Sequence, residues 1–392
     1  MNESVFNISV KCLPFTEELL KEELIELGVN DITIGRRVLH GSCDLKTMYR
    51  VCYTSRLALR ILVPIAEFRL RKVDDLYKQA MKVEWDNLML LDQTFAIDAH
   101  VRSDFFQHPH FASLKVKDAI ADYFRQEYEK RPDVSPDNPD VLFHLHIDEE
   151  VVTISLDAGG RSLNQRGYRM GSGDAPLNEV LAAAIIKATG WKGESPFMDP
   201  MCGSGTLVTE AAMLASNTPA QIARPNFQFM KWPGFDQELW NELKAECDAQ
   251  IVTPVYPIVG SDLDSSALGW ATKNSRKAQV GEFVHFEKAD FFELETDDAK
   301  GILVMNPPYG ERLPLEEAYA FYGKLGDSFK KNWKGWNAWV FSGHLDAMKR
   351  VGLKPFKKSK WLNAKIDCVL FGYKMFDGDF KSFKQNLDKV EE

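Results

Sequence analysis

Hydrophobic and polar residues alternate in short runs over the first 160 residues of the chain, and such runs predict β-strands. The predicted strands are Phe6–Val10, Ile32–Ile34, Val38–His40, Leu57–Pro64, Phe95–Val101, Val141–Ile147 and Val151–Leu156. Apolar residues at helical spacing predict three helices in the same part, namely Glu17–Leu27, Leu45–Cys52 and Leu114–Tyr128. The pattern therefore predicts two small α+β units, which we place at residues 1–65 and 66–160.

After residue 173 the pattern changes, because helices and strands alternate regularly. The predicted helices are Asn178–Thr189, Thr206–Ala215, Ser265–Lys277 and Ala318–Trp333. The predicted strands are Pro196–Asp199, Pro257–Ser261, Val284–Lys288, Ile302–Met305, Ala338–Ser342 and Cys368–Met375. This order is typical of a mostly parallel sheet covered by helices, so we predict an α/β domain over residues 174–392.

Residues 161–173 form the predicted linker between the α+β units and the α/β domain. The stretch Gly159–Gly173 is rich in glycine and is a local stretch in which basic residues dominate, with Arg161, Arg166 and Arg169. Two interpretations are open for it. It is either a solvated connector between domains or a strap that contacts phosphates near an active cleft.

Composition is that of an ordinary globular protein, with 45% hydrophobic and 27% charged residues in a chain of 392. The sequence has no apolar run of eighteen or more residues that could span a membrane. It also lacks a basic segment followed by an apolar core, which would mark a secretory signal. We therefore expect a cytosolic protein.

Cysteine spacing and net charge narrow the choice of ligands. The six cysteines are scattered without a C-x-x-C pair, which suits neither a zinc site nor a disulfide framework, so we expect reduced thiols and no metal. The formal net charge is −9, whereas a nucleic-acid binder usually shows a basic footprint. Net charge describes the whole surface, however, so a local basic stripe can exist on an acidic protein.

Three segments that could carry chemistry end three successive strands of the α/β domain, and ligands bind at the carboxyl ends of strands in such sheets. The first segment is the glycine-rich turn Asp199–Thr206. Gly203 and Gly205 let the backbone pass close beneath a ligand, unless they only serve a tight strand–helix turn. A dinucleotide fingerprint would need glycine in place of Val208, and the turn has no lysine for a P-loop. A nucleoside ligand without phosphates fits better.

The second segment, Gly260–Asp264, places two carboxylates at the end of the next strand. A carboxylate at this place can accept both hydroxyl groups of a ribose, and we prefer Asp262 because Asp264 can cap the following helix. The acid lies further along the chain than the usual spacing of about 20 residues. The insertion Ser216–Gln250, which is rich in aromatic residues, accounts for the difference.

The third segment is Asn306-Pro307-Pro308-Tyr309, directly after a buried strand. The two prolines fix the backbone and remove N–H donors, so the Asn306 side-chain oxygen and a proline carbonyl are two acceptors for one –NH2 group. Tyr309 offers a flat face on which a base can stack. Holding the amine in line with an electrophilic group of a bound ligand can lower the reaction barrier by about 7–11 kcal/mol. The alternative for this segment is an ordinary turn.

The mechanism that these residues predict needs no acid, base or nucleophile. Cys202 is a candidate nucleophile by residue type, but it lies in the glycine-rich turn, where we expect it to pack. The amine can lose its proton to solvent after it has reacted with the bound ligand. Positioning of the two reactants is then sufficient.

These motifs carry a resemblance to a known family. The runs D-P-M-C-G-S-G-T and N-P-P-Y-G-E-R-L resemble those of class I methyltransferases of the bacterial ribosomal RNA guanine-N2 family, formerly grouped with adenine-N6 methylases. The stretches Gly160–Arg169 and Ala175–Ala184 are similar to that family's linker and first catalytic helix, and Lys115–Phe124 is similar to the helix of a THUMP domain. The chain is similar to the N-terminal half of the two-activity enzymes.

The resemblance implies a fold, a cofactor and a set of site residues. The fold would be a Rossmann-like methyltransferase domain preceded by an α+β RNA-binding region, ferredoxin-like over residues 1–65 and THUMP-like over 66–160. The cofactor would be S-adenosylmethionine, and Asp290 would accept a hydrogen bond from its adenine, although the sequence alone allows a turn role for Asp290. The residues assigned to the cofactor are Asp199, Met201, Cys202, Gly203, Gly205, Thr206, Asp262, Leu263, Asp290, Phe291 and Asn306.

Three functions remain open at this stage. The first is methylation of guanine N2 in large-subunit (23S) ribosomal RNA, with Asn306–Tyr309 as catalytic residues and Arg161, Arg166 and Arg169 as RNA contacts. The second is methylation of adenine N6 in DNA, which the N-P-P-Y motif does not separate from the first. The third is a non-catalytic RNA-binding factor in ribosome maturation that keeps a cofactor pocket. The size of the N-terminal region favours RNA, and the intact Asn306–Tyr309 motif argues against the third function.

Overall fold

The computed structural model describes residues 5–172, 176–296, 300–308 and 314–376. Within these ranges the chain forms two compact units. The first unit contains residues up to 12, residues 20–163 and the separate segment Arg224–Glu246. The second unit contains Leu13–Leu19, Asn164–Ala223 and the chain from Cys247 onwards.

Seven strands and four helices make up the N-terminal part of the chain. In chain order they are β1 (Phe6–Lys11), α1 (Glu17–Glu26), β2 (Asn30–Gly35), β3 (Val38–Cys43), α2 (Leu45–Thr54), β4 (Arg60–Arg69), α3 (Asp74–Ala80), β5 (Phe95–Arg102), α4 (Pro109–Tyr128), β6 (Val141–Asp148) and β7 (Val151–Asp157). The strands form one sheet in the order β2-β3-β1-β4-β7-β6-β5, in which only β5 and β6 are parallel. Strands β6 and β7 pair as an antiparallel hairpin through the turn at Glu149 and Glu150.

The long strand β4 joins the two predicted α+β units into one sheet. It extends from Arg60 to Arg69, across the predicted boundary at residue 65. On one side β4 pairs with β1, and on the other side it pairs with β7. The two zones therefore share a continuous hydrogen-bonded ladder and do not form separate sheets.

Helix α4 shows how the sequence builds the core of this sheet. Pro109 stands in its first turn, where a missing N–H costs nothing, and apolar residues recur along the face that is buried. These buried residues are Ala112, Val116, Ala119, Ile120 and Phe124. They pack with residues of β5, β6 and β7 and with Trp85, whose indole N–H donates to the Ala80 carbonyl at 2.9 Å.

The remaining elements begin with helix α5. They are α5 (Glu179–Thr189), β8 (Phe197–Asp199), α6 (Thr206–Ala215), α7 (Gln237–Asp248), β9 (Ile258–Asp262), α8 (Ser265–Lys277), β10 (His285–Lys288), β11 (Ile302–Met305), α9 (Leu315–Asn332), β12 (Asn337–Ser342), β13 (Lys357–Asn363) and β14 (Ile366–Lys374). The second sheet has the order β10-β9-β8-β11-β12-β14-β13. Its strands are parallel from β10 to β12, and β14 is antiparallel to both of its neighbours. The predicted α/β architecture with a mostly parallel sheet is confirmed.

The segment Arg224–Glu246 belongs to the first unit, although it lies between α6 and β9 in the sequence. Its aromatic side chains pack against α2. The ring of Phe229 stacks on Tyr49 with 4.3 Å between centroids, and Trp240 meets the edges of Tyr49 and Tyr53. The predicted insertion is thus an aromatic element of the N-terminal unit.

Three elements were absent from the sequence prediction, and each has a weak hydrophobic pattern. They are the short helix α3, the polar helix α7 and the strand β13, whose sequence begins Lys-Lys-Ser-Lys. Within the described ranges, no helix has the length and apolar character that crossing a membrane requires. All six cysteines are buried and none forms a disulfide.

Candidate active site

Three of the predicted site residues lie together at the carboxyl ends of neighbouring strands. Asp199 ends β8, Asp262 ends β9, and Asn306 directly follows β11. Because β8 lies between β9 and β11, the three ends are adjacent along one edge of the sheet. The chain order reverses at β8, which is the place where open α/β sheets form a ligand-binding crevice.

The glycine-rich turn between β8 and α6 contains two glycines in left-handed backbone conformations. Gly203 has φ +52° and Gly205 has φ +77°. A Cβ atom on Gly205 would lie 2.8 Å from the Cβ of Ala271 in α8, so packing between helices requires this glycine. A Cβ atom on Gly203 would meet nothing within 4 Å, so the turn is open to a ligand at Gly203.

Asp262 links this turn to the end of β9. Its Oδ2 accepts a hydrogen bond from the Gly203 amide at 2.8 Å, and its Oδ1 accepts one from the Asp264 amide at 2.9 Å. A carboxylate has about four acceptor positions, so two remain for ribose hydroxyls. Asp264 caps α8 by accepting from the Ser266 amide at 2.8 Å, which was the alternative that the sequence left open for it.

Asp199 is a buried carboxyl group in a negative environment. Its Oδ1 accepts a hydrogen bond from the Met201 amide at 3.2 Å. Burial, together with the nearby charge of Asp262, raises the pKa of Asp199 to about 8, against the lowering effect of the Met201 amide. A positively charged ligand beside it would favour the ionised form.

Asn306 presents an unused acceptor at the end of β11. Its Oδ1 is buried and has no hydrogen-bond partner among the residues that the structure describes. The next residues, Pro307 and Pro308, are buried and half-buried and have no N–H to offer it. A buried acceptor without a partner costs about 1–3 kcal/mol, so a ligand that donates a hydrogen bond to Oδ1 would offset this cost. Tyr309 lies outside the described residues.

The remaining residues assigned to the cofactor differ in accessibility. Asp290 caps the short helix after β10, with its Oδ1 accepting from the Phe292 amide at 3.0 Å, and this is the turn role that the sequence allowed. Phe291 is buried and stacks on Trp333, so its ring serves the core and only its backbone could reach a ligand. Leu263 is 62% exposed at the cleft edge and can cover a ligand.

Cys202 and Thr206 fill positions inside the glycine-rich turn. Cys202 is 7% exposed, and burial raises the pKa of its thiol far above the ordinary value. The negative charges of Asp199 and Asp262 act in the same direction, so the thiolate that a nucleophile needs is disfavoured. The Thr206 hydroxyl accepts from Arg169 at 3.3 Å, and Met201 is half-buried.

The linker arginines do not form the exposed basic strap that the sequence suggested. Arg166 is 1% exposed, and its guanidinium pairs with Glu210 of α6 at 3.3 Å. Tyr168 donates to the same carboxylate at 3.0 Å. Burial and the ion pair occupy the guanidinium of Arg166 within the fold, which disfavours the predicted phosphate contact at this residue.

Arg169, like Arg166, forms contacts within the fold, whereas Arg161 is exposed. Arg169 pairs with Glu179 at 2.8 Å and donates to the Leu177 carbonyl at 3.0 Å, in addition to its contact with Thr206. It therefore holds the linker to the start of α5 and α6. Arg161 is exposed, so it is the most accessible of the three arginines to an RNA phosphate.

Asn274 is a site residue that the sequence did not single out. Its Nδ2 donates to the carbonyls of Ser204 and Gly171, each at 3.0 Å, and its Oδ1 accepts from the Met170 amide at 2.7 Å. The side chain is 1% exposed and ties the linker to the glycine-rich turn. A single polar residue in an amphipathic helix gives no pattern that distinguishes it from a surface residue.

The fold and the cleft define a class I methyltransferase. Family models match three parts of the chain: an RMKL-like methyltransferase domain over residues 166–371, a THUMP domain over 71–157 and an RlmL ferredoxin-like domain over 7–62. The chain belongs to the RMKL-like methyltransferases. The resemblance that the motifs suggested is confirmed.

Curated relatives cover most of the chain. A candidate RNA methyltransferase of Synechocystis is 36% identical over 362 residues, which span 92% of this chain and 94% of that protein. The ribosomal RNA large subunit methyltransferases K/L of Syntrophotalea carbinolica and Psychromonas ingrahamii are 36% and 38% identical over 93% and 91% of this chain. The match spans 53% and 48% of these two proteins, so the chain is about half as long as they are.

Solved structures share the whole architecture. SMU.472, a candidate methyltransferase solved in complex with SAH, has a TM-score of 0.86 at 27% identity and covers 97% of this chain and 100% of its own. A protein described as a possible methylase from Clostridium difficile gives the same TM-score and identity, with 96% and 100% covered. TrmN from Thermus thermophilus, at 18% identity and a TM-score of 0.67 over 95% and 100%, shares the fold.

S-adenosylmethionine is the methyl donor of this class, and the cleft fits it. The turn is open at Gly203, and Asp262 keeps acceptor positions for hydroxyl groups beside it. Asp199 offers a buried carboxyl group to a positive charge. The cleft thus suits a nucleoside that carries a cation and no phosphate. Among the described residues, no group of three or more His, Cys, Asp or Glu is placed to hold a metal ion.

Proposed function

We propose that this chain transfers a methyl group from S-adenosylmethionine to the exocyclic N2 amine of a guanine in 23S ribosomal RNA. The observation that carries the proposal is the buried Oδ1 of Asn306 at the carboxyl end of β11, which has no hydrogen-bond partner in the described part of the chain. It lies on the strand next to β8, whose following turn is the one open to a nucleoside at Gly203. RNA as the substrate is supported by the THUMP match and by the names of the curated relatives. We also propose a cytosolic location, where an enzyme that acts on ribosomal RNA meets its substrate.

The chemistry follows from how Asn306 and the prolines hold an amine. The cofactor supplies an electrophilic methyl group. Asn306 Oδ1 and the Pro307 carbonyl would accept the two N–H groups of the target amine, which turns its lone pair towards the methyl carbon. Alignment of this kind can supply about 7–11 kcal/mol of the barrier. The proton then leaves to solvent, and no side chain has to remove it.

The acidic residues would hold the cofactor. Asp262 would accept the ribose hydroxyls with the acceptor positions that Gly203 and Asp264 leave unused. Asp199 would face the positive charge of the cofactor, which offsets the cost of its buried carboxylate. Asp290 would accept from the adenine amine with the oxygen that does not cap the short helix.

Methylation of adenine N6 in DNA is the second candidate function. It rests on the N-P-P-Y motif, which serves either amine, and a fold neighbour from Listeria monocytogenes is described as a predicted N6-adenine-specific DNA methylase. The first unit disfavours it, because a THUMP domain and a ferredoxin-like domain make up a large part of the chain. A non-catalytic maturation factor is disfavoured by the intact acceptor of Asn306.

A methyl-transfer assay separates these functions. The full chain is incubated with labelled S-adenosylmethionine and either unmodified ribosomal RNA or genomic DNA, and digested nucleosides are identified by mass spectrometry. We expect N2-methylguanosine from large-subunit RNA, and none with Asn306→Ala. N6-methyladenine in DNA would replace the proposal with the second candidate. Transfer to neither substrate, with intact cofactor binding, would support the maturation factor.

A further inference from the structure

One face of the first sheet carries a groove of about 590 Å³, which lies entirely within the N-terminal unit. We name it the sheet-face groove. It is lined by side chains of β1, β3, β4, β5, β6 and β7 and by the turn between β2 and β3. Alternate residues of the same strands, such as Ile8, Val10 and Ile154, are buried on the opposite face. The groove is therefore built on the face that the hydrophobic core does not use.

The groove concentrates positive charge on an acidic protein. Its lining includes four lysines and arginines and one carboxylate, that of Asp98, while the buried Asp157 contacts the lining from beneath. Four of the eight histidines of the chain, which are counted as neutral at pH 7, also line it. The basic side chains are Lys11, Arg36, Arg37, Arg60, His40, His100, His144 and His146. In the whole chain, acidic residues outnumber lysines and arginines by 57 to 48. The local excess is thus opposite in sign to the net charge, as expected of a surface that binds an anion.

Lys11 is the least favourable cation in the groove. It lies directly across from Arg60 in the β1–β4 ladder, and like charges opposite each other destabilise a sheet. Burial lowers the pKa of Lys11, and the charges of Arg60 and Arg37 lower it further, while Asp98 and Asp157 raise it. In the described chain, Lys11 has no ion pair or hydrogen bond through its ammonium group. An anion in the groove would supply the missing partner.

The floor of the groove is fixed by a buried carboxylate. Asp157 is fully buried and accepts from Arg60 at 2.6 Å and from His144 at 2.8 Å. Arg60 also donates to the Gly160 carbonyl at 2.7 Å. Because these contacts use Asp157 and hold Arg60 in place, the charge of Asp157 does not neutralise Lys11 by direct contact.

Several cations elsewhere on this unit pair with carboxylates, unlike Lys11 and Arg36 in the groove. On the surface beside α4, three cations each contact a carboxylate: Lys115 with Asp74, Lys117 with Asp118, and Arg125 with Asp122. Arg69 on β4 likewise pairs with Glu150. Arg36, by contrast, is exposed at the groove edge, with no ion pair or hydrogen bond to a residue that the structure describes.

Two stacked imidazole rings complete the groove. His100 and His146 lie opposite each other in the β5–β6 ladder, with ring centroids 5.6 Å apart and planes 6° from parallel. Both side chains are exposed. Flat exposed rings beside unpaired cations are the combination that binds single-stranded nucleic acid, through base stacking and phosphate contacts.

We propose that the sheet-face groove binds a single-stranded stretch of the RNA substrate through its phosphodiester backbone, with Lys11 and Arg36 as the principal phosphate contacts. A flexible strand can bend into a recess and reach the half-buried Lys11, whereas the phosphates of a duplex lie on a rigid convex cylinder. The inference rests on the proposed function, because that function supplies the RNA. It adds where the N-terminal unit holds this RNA and in which form.

The test compares RNA binding by full-length variants. A short fluorescein-labelled oligouridylate is titrated with the wild type, Lys11→Met, Arg36→Ala, their combination, and the control Arg69→Ala, which removes an exposed arginine outside the groove. We expect the double variant to bind on the order of tenfold more weakly at moderate salt. Its slope of log affinity against log salt should be smaller by about 1.4, since each phosphate contact on a single strand contributes about 0.7. Arg69→Ala should match the wild type.

The substitution Lys11→Met is chosen so that a loss of RNA binding cannot be attributed to misfolding. The substitution keeps the aliphatic stem and removes a half-buried charge opposite Arg60, so thermal stability should be unchanged or higher while RNA binding falls. Wild-type affinity and salt slope in the double variant would overturn the proposal. A loss of hairpin RNA binding with unchanged oligouridylate binding would also overturn it, in favour of a duplex site.

Failure of the proposed function and failure of the groove proposal give different results in these experiments. In that case the wild type would leave ribosomal RNA unmethylated, and the binding comparison would still report on the groove. Conversely, a folded double variant that binds S-adenosylmethionine normally but no longer methylates structured RNA would support both.

Discussion

Asp262 accepts a hydrogen bond from the amide of Gly203 at 2.8 Å, and this contact joins the end of β9 to the turn after β8 although 59 positions separate the two residues. The second oxygen of Asp262 accepts from the Asp264 amide, at the start of α8. The carboxylate therefore fixes the distance between the open turn and the ribose position that we propose. Cofactor affinity should depend on this residue in two ways, through its contacts to hydroxyls and through the shape of the turn.

Asp262→Ala should weaken S-adenosylmethionine binding by about tenfold to a hundredfold while the protein still folds. Hydrogen bonds to a charged group are worth roughly 1.5–3 kcal/mol, which corresponds to that range. Isothermal titration calorimetry measures the loss, and circular dichroism checks the fold. Asp264→Ala is the matched control, because Asp264 caps α8 and should affect helix stability more than affinity. Unchanged affinity in a folded Asp262→Ala protein would refute the ribose assignment.

Asn306→Ala should separate binding from chemistry. Cofactor binding should persist, since the glycine-rich turn and Asp262 are intact, whereas methyl transfer should collapse because the acceptor for the amine is missing. Asn306→Asp keeps an oxygen acceptor at the same place and should retain more activity than alanine. Single-turnover assays measure the transfer step at saturating cofactor. Near-normal turnover by Asn306→Ala would show that orientation of the amine by Asn306 is not the source of catalysis.

The parts of the site that consist of contiguous residues could be predicted from the sequence, because their chemistry and backbone geometry depend on neighbouring residues. The turn Asp199–Thr206 and the run Asn306–Pro308 are local, so their place at strand ends followed from the periodic pattern on either side. The strands of both sheets were also predicted to within a few residues, except for β4, which extends to Arg69, and β13, whose polar sequence does not show the alternation expected of a strand.

The roles of some charged side chains could not be predicted from the sequence, because they depend on partners that are distant along the chain. Arg166 and Arg169 looked like exposed cations because they stand in a glycine-rich stretch, yet their carboxylate partners, Glu210 and Glu179, lie on helices further along the chain. The role of Lys11 could not be predicted from the sequence either, because it also depends on a distant residue. Its unfavourable place opposite Arg60 exists only after β1 and β4 have paired.

Asp199 should give the unliganded protein a distinctive pH dependence. Its pKa in the folded state is about 8, above the ordinary value of 3.8, so the folded protein binds a proton that the unfolded protein releases over this interval. The corresponding stability is complete below about pH 4 and is lost as the pH rises through about 8. Urea unfolding of wild type and Asp199→Asn across this range tests it, and the difference between the two free energies of unfolding should change steadily. A constant difference would mean that Asp199 is already ionised at low pH.

Arg166→Met should destabilise the fold and leave phosphate binding as it is. Removing one partner of a buried ion pair leaves the Glu210 carboxylate uncompensated, at a cost of about 3–5 kcal/mol. The double variant Arg166→Met with Glu210→Gln removes both charges and should recover part of the loss, which denaturant titrations can measure. For RNA binding the matched comparison is the exposed Arg161→Ala, which should reduce the salt dependence. If Arg166→Met were fully stable but weak in RNA binding, the original assignment of Arg166 as an RNA contact would be restored.

The aromatic segment Arg224–Glu246 should determine the stability of the N-terminal unit, although it lies within the span of the methyltransferase family match. Phe229 is fully buried and stacks on Tyr49 and Phe227, so Phe229→Ala should cost about 3–5 kcal/mol. A truncation that removes residues 1–160 would strip the same rings of their partners, so the remaining chain should aggregate unless the segment is also excised. Hydrogen exchange of full-length Phe229→Ala measures where protection is lost, and we expect the loss in α2 and the first sheet. Loss confined to β8–β12 would instead assign the segment to the catalytic unit.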